Sequence, residues 1–170
     1  QPVTPSTPIV EAITQPTCTI PTGTIEFSNL PAGNWIINPE SVSGSGSNFI
    51  LSGLALGTYT FTVTNEDGCV SDYTTIVTIN AQPNTPATPV VVATTQPTCA
   101  VATGSVELSD LPTGNWTINP GNITGSGATF TIAGLATGTY NFSVTNADGC
   151  ISNSSAELRV GEECHTRCRS

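Results

Sequence analysis

Six cysteines carry most of the chemistry this chain could perform, and four of them fall at matched positions. Cys18 and Cys69 return 81 positions later as Cys99 and Cys150. The other two, Cys164 and Cys168, flank the sole histidine, His165. A thiol serves as nucleophile, metal ligand or half of a disulfide, and spacing with context decides among them. Cys164, His165 and Cys168 offer three zinc ligands where a closed structural site needs four. A local Cys164–Cys168 disulfide is therefore expected there, with a bridge to another chain as the alternative, and no metal site. Catalysis finds no foothold either. His165 has no copy elsewhere, and no Gly-x-Ser-x-Gly elbow or phosphate-binding loop occurs. Glu66 and Asp67 are neighbours in a turn, where solvation is the ordinary fate. No catalytic residue and no cofactor are expected.

The matched cysteines belong to a wider duplication. Thr14-Gln15-Pro16-Thr17-Cys18 returns as Thr95-Gln96-Pro97-Thr98-Cys99, Gly33-Asn34-Trp35 as Gly114-Asn115-Trp116, and Asp67-Gly68-Cys69 as Asp148-Gly149-Cys150. A fixed period of this length marks an array protein, which supplies length and repeated surface more often than a reaction centre. Cysteines at repeated spacing in a chain without lysine read as oxidised and extracellular. The economical pairing is Cys18–Cys69 and Cys99–Cys150, each closing a loop worth about 4 kcal/mol in the chain-entropy model. The alternative is four reduced, buried thiols.

Charge excludes several classes of partner. The 170 residues carry 12 acids against three arginines, for a net charge of −9. Such a surface repels phosphate backbones, so no nucleic acid is expected. No basic amphipathic helix and no apolar run of transmembrane length occurs, so no membrane insertion is expected. With no methionine, the chain reads as processed or cut from a longer product, and secretion stays open. Arg159, Arg167 and Arg169 cluster near the C-terminus, while the first module has acids and no base. That polarity predicts head-to-tail self-association, a contact that polymerises unless it closes into a ring. A solvated terminus is the plain alternative.

The elements that must position these residues are strands. Ile25 and Phe27 flank Glu26, Trp35 alternates with Ile37, Phe49 with Leu51, and Tyr59, Phe61 and Val63 alternate with threonines. Comparing the copies sorts the faces. Ile76 becomes Glu157 and Thr78 becomes Arg159, whereas Val77 and Ile79 become Leu158 and Val160. The first set should face water and the second the core, since a buried unpaired charge is costly. Asn65-Glu66-Asp67-Gly68 is a hairpin turn. Six or seven short strands per module, with frequent turns, predict an all-β fold. It consists of two tandem Ig-like antiparallel β-sandwich modules joined by a Pro/Thr-rich spacer. The boundaries are a spacer over 1–8, module 1 over 9–80, a spacer over 81–89, module 2 over 90–161 and a Cys/Arg tail over 162–170. Proline-rich spacers are semi-rigid struts, which should hold the bodies in line. The cysteines should lie near one end of each sandwich rather than pin its two sheets together.

These landmarks resemble the SprB-type repeat modules of Bacteroidetes cell-surface proteins. The resemblance runs through Cys18, Gly23, Gly53-Leu54-Ala55-Leu56-Gly57-Thr58-Tyr59 and Asn65-Glu66-Asp67-Gly68-Cys69. Its second passage is Cys99, Gly104, Gly134-Leu135-Ala136-Thr137-Gly138-Thr139-Tyr140 and Asn146-Ala147-Asp148-Gly149-Cys150. It implies export through type-nine secretion and a place at the cell surface, in adhesion, gliding or filaments. The chain departs from the pattern in having two copies, no recognisable sorting domain, and Gly-Asn-Trp in mid-module.

The expected function is an extracellular structural repeat, a segment of a surface fibre or adhesin, with itself or other surface proteins as partner. A glycan- or protein-binding module using the loops Ser43-Gly44-Ser45-Gly46 and Thr124-Gly125-Ser126-Gly127 is the alternative. Trp35 and Trp116 could stack on sugars, but their alternation with Ile37 and Ile118 predicts core burial. Asp67 and Asp148 lack the dense oxygen array that calcium prefers. Sequons at Asn115, Asn122, Asn141 and Asn153 occur in the second copy alone.

Overall fold

A computed structural model describes residues 1–161. The chain divides into two compact units, Gln1–Pro83 and a second that begins at Asn84. Among the described residues there is no helix, and the fold is all-β, a tandem of antiparallel β-sandwiches. The first module comprises β1 (Ile9–Thr14), β2 (Gly23–Ser28), β3 (Asn34–Asn38), β4 (Val42–Ser45), β5 (Phe49–Leu54), β6 (Gly57–Tyr59), β7 (Thr62–Asn65) and β8 (Val77–Ile79). The second repeats them as β9 (Val90–Thr95), β10 (Gly104–Ser109), β11 (Asn115–Asn119), β12 (Ile123–Ser126), β13 (Phe130–Leu135), β14 (Gly138–Tyr140), β15 (Ser143–Asn146) and β16 (Leu158–Val160). Eight described strands per module exceed the six or seven expected. The extra ones are short pieces, such as β4 and β6, whose glycines and serines hide the alternation.

In the first module β1-β2-β5 form one antiparallel sheet, β4-β3-β7 a second, and β6-β8 a two-stranded ladder. The second module repeats this order as β9-β10-β13, β12-β11-β15 and β14-β16. Alternation delivers one face of each strand to a shared core. Ile25, Phe27, Trp35, Ile37, Leu51, Leu54, Phe61, Val63, Val77 and Ile79 are buried together. Edge-on ring contacts cross the core, Phe27 of β2 against Phe61, the residue before β7, at 5.1 Å, and Trp35 of β3 against Phe49 of β5 at 5.2 Å. The second core is built on Val106, Leu108, Leu111, Trp116, Ile118, Ile132, Phe142 and Val144. The faces inferred from the copies hold. Val77, Ile79 and Val160 are buried and Leu158 is half-buried, while Ile76, Thr78, Glu157 and Arg159 are exposed.

Both tryptophans are buried, and each indole N–H donates to a glycine carbonyl, Trp35 to Gly46 at 2.9 Å and Trp116 to Gly127 at 2.9 Å. Each ring lies across a glycine of the neighbouring strand. A Cβ on Gly44 would stand 2.3 Å from Trp35 Cη2, and one on Gly125 2.4 Å from Trp116 Cη2. The segments Ser43-Gly44-Ser45-Gly46 and Thr124-Gly125-Ser126-Gly127, expected as exposed binding loops, are thus largely edge strands, and their inner glycine exists to admit the indole. Gly23, the glycine before the first core strand, has a related role. A Cβ there would meet Ile79 Cδ1 at 2.8 Å and the Thr14 carbonyl at 2.9 Å.

The segment after each Asp-Gly-Cys turn carries a feature that the period-two reading missed. Val63 N–H donates to Ser71 Oγ at 3.0 Å while Ser71 N–H donates to Val63 O at 2.9 Å. Thr74 makes the same double exchange with Phe61. Ser152 on Val144 and Ser155 on Phe142 repeat it. Hydroxyls thereby complete the ladder where the strand itself breaks off, and no buried side-chain polar atom among the described residues lacks a partner.

Two predictions follow from this packing. Gly125→Ala should cost about 1–3 kcal/mol by overpacking the indole. Gly138→Ala, whose Cβ meets Tyr140 no closer than 3.7 Å, should shift stability by less than about 0.5 kcal/mol. Denaturation followed by tryptophan emission compares them, and equal effects would remove the indole seat as the reason for the glycine. Ser71→Ala should cost about 1–3 kcal/mol by orphaning a buried N–H. Val63 should then lose amide-exchange protection, and retained protection would show that the hydroxyl is dispensable.

Candidate functional site

Each module has two poles, set by the direction of β1 against β2. At one end of that ladder Ile9 pairs with Ser28, and at the other Thr14 pairs with Thr24. Five steps at about 3.3 Å per residue separate these pairs by about 17 Å. The chain enters at the first pole. There Asn29 Nδ2 donates to Thr7 O at 3.1 Å, and Asn65 Nδ2 donates to Val3 O at 2.9 Å. It leaves at the second, where Gln15 Nε2 donates to Thr78 O at 2.9 Å and Asn80 N–H donates to Gln15 Oε1 at 2.8 Å.

Cys69 belongs to the entry pole. Its N–H donates to Asn65 Oδ1 at 2.8 Å, Asn65 N–H donates to Cys69 O at 3.0 Å, and Gly68 N–H closes the turn on Asn65 O at 3.0 Å. Gly68 sits at φ 80°, a conformation that costs glycine nothing. One asparagine therefore shapes the turn with its oxygen and grips the spacer with its nitrogen. The second copy matches bond for bond. Cys150 N–H donates to Asn146 Oδ1 at 2.9 Å, and Asn146 Nδ2 donates to Asn84 O at 2.8 Å. Beside each turn lies a shallow open groove, lined by Asn115, Trp116, Thr124, Gly125, Asn146 and Ala147 in the second module and by Asn34, Trp35, Ser43, Asn65 and Glu66 in the first.

Cys18 belongs to the exit pole. Thr17 N–H donates to Ile20 O and Ile20 N–H donates to Thr17 Oγ1, folding the loop that holds Cys18. Gln82 Nε2 donates to Cys18 O at 3.1 Å. In the second copy Gln96 Nε2 donates to Arg159 O and Gly161 N–H donates to Gln96 Oε1, while Thr98 and Val101 rebuild the loop around Cys99. The repeated Thr-Gln-Pro-Thr-Cys string thus encodes a clamp on the last strand. Residue-level reading gave Gln15 and Gln96 no role, although their recurrence at the same offset was the available signal.

The cysteine pairing expected from the duplication is corrected. Cys18 and Cys150 are each disulfide-bonded, while Cys69 is a free, half-buried thiol. Cys69 therefore does not bridge to Cys18, and the bond made by Cys150 does not go to the exposed Cys99. The reason is the two-pole geometry. A disulfide needs Cα atoms within about 7 Å, and the two cysteine classes sit at opposite ends of a sandwich about 17 Å long. Each does lie near an end, as expected, but not at the same end.

Of the arginines singled out for self-association, Arg159 is described. It lies on β16, with its Nε 3.2 Å from Glu157 Oε1 and both side chains more than half exposed. Arg167, Arg169, Cys164, His165 and Cys168 lie outside the described residues. Among the described residues no group of three or more His, Cys, Asp or Glu side chains could hold a metal ion, and no helix is long and apolar enough to cross a membrane.

No family model matches the chain, and no curated protein matches it. Among solved structures it is similar to the human OSCAR ligand-binding domain, at 16% identity over 92% of this chain and 99% of that one, with a TM-score of 0.37. It is also similar to the BSP domain of a biofilm associated protein, at 14% identity over 89% of this chain and 30% of that one, with a TM-score of 0.31.

Proposed function

We propose that this chain is a structural segment of an extracellular surface fibre or adhesin, assembled head to tail from copies of itself. The observation that carries this reading is the fastening of the backbone at both poles of each module. Asn65 and Asn29 hold the incoming spacer, and Gln15 holds the outgoing strand end. Tension applied to a module's two ends enters along β1 and leaves along β8. It loads the β1–β2 ladder in shear, so its hydrogen bonds must yield together rather than one after another. The Asn65 and Gln15 clamps return 81 positions later as Asn146 and Gln96, although Asp110 stands in place of Asn29, and clamps of this kind serve load and spacing. They have no use in a reaction centre.

Disulfides on Cys18 and Cys150 fit an oxidising compartment outside the cell. The net charge of −9 discourages nonspecific contact. The basic tail would meet the acidic entry module of the next copy, with Arg159, Arg167 and Arg169 as the self-association residues. The kinship implied by SprB-type modules belongs to this same reading. A second reading, binding of a glycan or a protein, is favoured by the open grooves beside the Asn65 and Asn146 turns, and it would use their exposed serines and asparagines.

Negative-stain microscopy of the full chain, alongside a chain trimmed of residues 162–170, tests the fibre. The full chain should form regular filaments and the trimmed chain dispersed particles. Filaments that survive trimming would remove the tail from the contact, and dispersed particles with saturable sugar binding would replace the fibre by the binding module.

A further inference from the structure

We propose that the Cys69 turn is a covalent docking point for a second copy of this chain, joined by a disulfide between Cys69 and a cysteine of that copy. The inference deepens the head-to-tail fibre reading and rests on it. Its ground is an internal comparison between two turns that agree in sequence landmarks and in hydrogen bonding. Both use an asparagine Oδ1 to receive the cysteine N–H, and both use the same asparagine's Nδ2 to hold the spacer. Both bridge one residue beyond the cysteine, Thr64 to Val70 and Thr145 to Ile151. Yet Cys150 is disulfide-bonded and completely buried, whereas Cys69 carries a thiol and is half-buried. The turn is therefore a device that presents a cysteine for a bridge. One copy of the device has been used and the other has not.

The partner of Cys69 cannot come from its own module. Cys18, the only other cysteine there, lies at the opposite pole, about 17 Å away along the β1–β2 ladder, and is itself bonded. A bridge to Cys69 must therefore come from outside its own module, and the entry pole is where a preceding copy in a head-to-tail fibre would stand. Its surroundings suit a protein partner. The groove beside the turn is lined by Asn34, Ile36, Ser43, Thr64, Asn65 and Glu66, and the side chain of Ile36 is exposed there.

The chemistry needs an oxidant, and a small-molecule disulfide such as oxidised glutathione supplies it. Cys69 loses its proton, and the thiolate sulfur attacks one sulfur of the small disulfide. The old S–S bond breaks, its second sulfur leaves as a thiolate, and that thiolate takes up a proton. The thiolate of the second copy's cysteine then attacks the Cys69 sulfur and expels the remaining small thiol. Two protein thiols are oxidised by two electrons, and one small disulfide is reduced to two thiols.

The full chain incubated with oxidised glutathione, and then run on a denaturing gel without reductant, tests this. Wild type should give a ladder of multimers that a reductant collapses to monomer. Cys69→Ser should lower the covalent multimers at least about tenfold while Cys150 stays protected from alkylation, which reports that the fold and its disulfide survive. An unchanged ladder in Cys69→Ser, or wild-type monomers whose Cys69 remains open to alkylation, would overturn the link. Microscopy of the same samples separates this from the fibre itself. Filaments without a ladder overturn the link and leave the fibre standing. A Cys69-linked dimer that never lengthens supports the link and removes the fibre.

Discussion

The antiparallel ladder of β1 against β2 is the constraint on which the rest of each module depends. It is short, yet its direction decides which loops stand at which end. The loop after β1 and the turn after β7 go to opposite poles, so the two cysteine classes face away from each other. Entry and exit of the chain are separated in the same way. From that follow the side-chain clamps and the absence of a bridge between Cys18 and Cys69.

Around this ladder the chain economises on charge. With charged residues at 9%, few ion pairs are available to close loops. Hydroxyls and carboxamides do the closing instead. Asn65, Gln15, Ser71 and Thr74 each bond backbone groups that the strands leave over, and their counterparts repeat it. Neutral groups of this sort hold geometry regardless of salt, because no Coulombic term is there to be screened. For small sandwiches with limited cores this is a durable design.

Much of the architecture was legible because duplication acts as an internal experiment. Where Ile76 became Glu157 and Val77 became Leu158, the tolerated and refused changes revealed the two faces, and Trp35 and Trp116 read as core by simple alternation. The cysteines misled for a physical reason. A repeat records which residue types recur, but it does not record which pole each occupies, and proximity rather than recurrence determines a bridge. The hydroxyl ladder of Ser71 and Thr74 was hidden because polar residues at strand-like spacing read as solvent-facing. Gly44 read as part of an exposed loop because its reason, the indole lying over it, comes from the neighbouring strand and leaves no trace in local composition.

The two cysteine classes lie at opposite ends of each module. Peptide mapping of the native chain under non-reducing conditions, with a protease cutting at acidic residues because lysine is absent, addresses this directly. No fragment should join Cys18 to Cys69 or Cys99 to Cys150. Recovery of either linked pair from folded material would contradict the two-pole arrangement and everything derived from it.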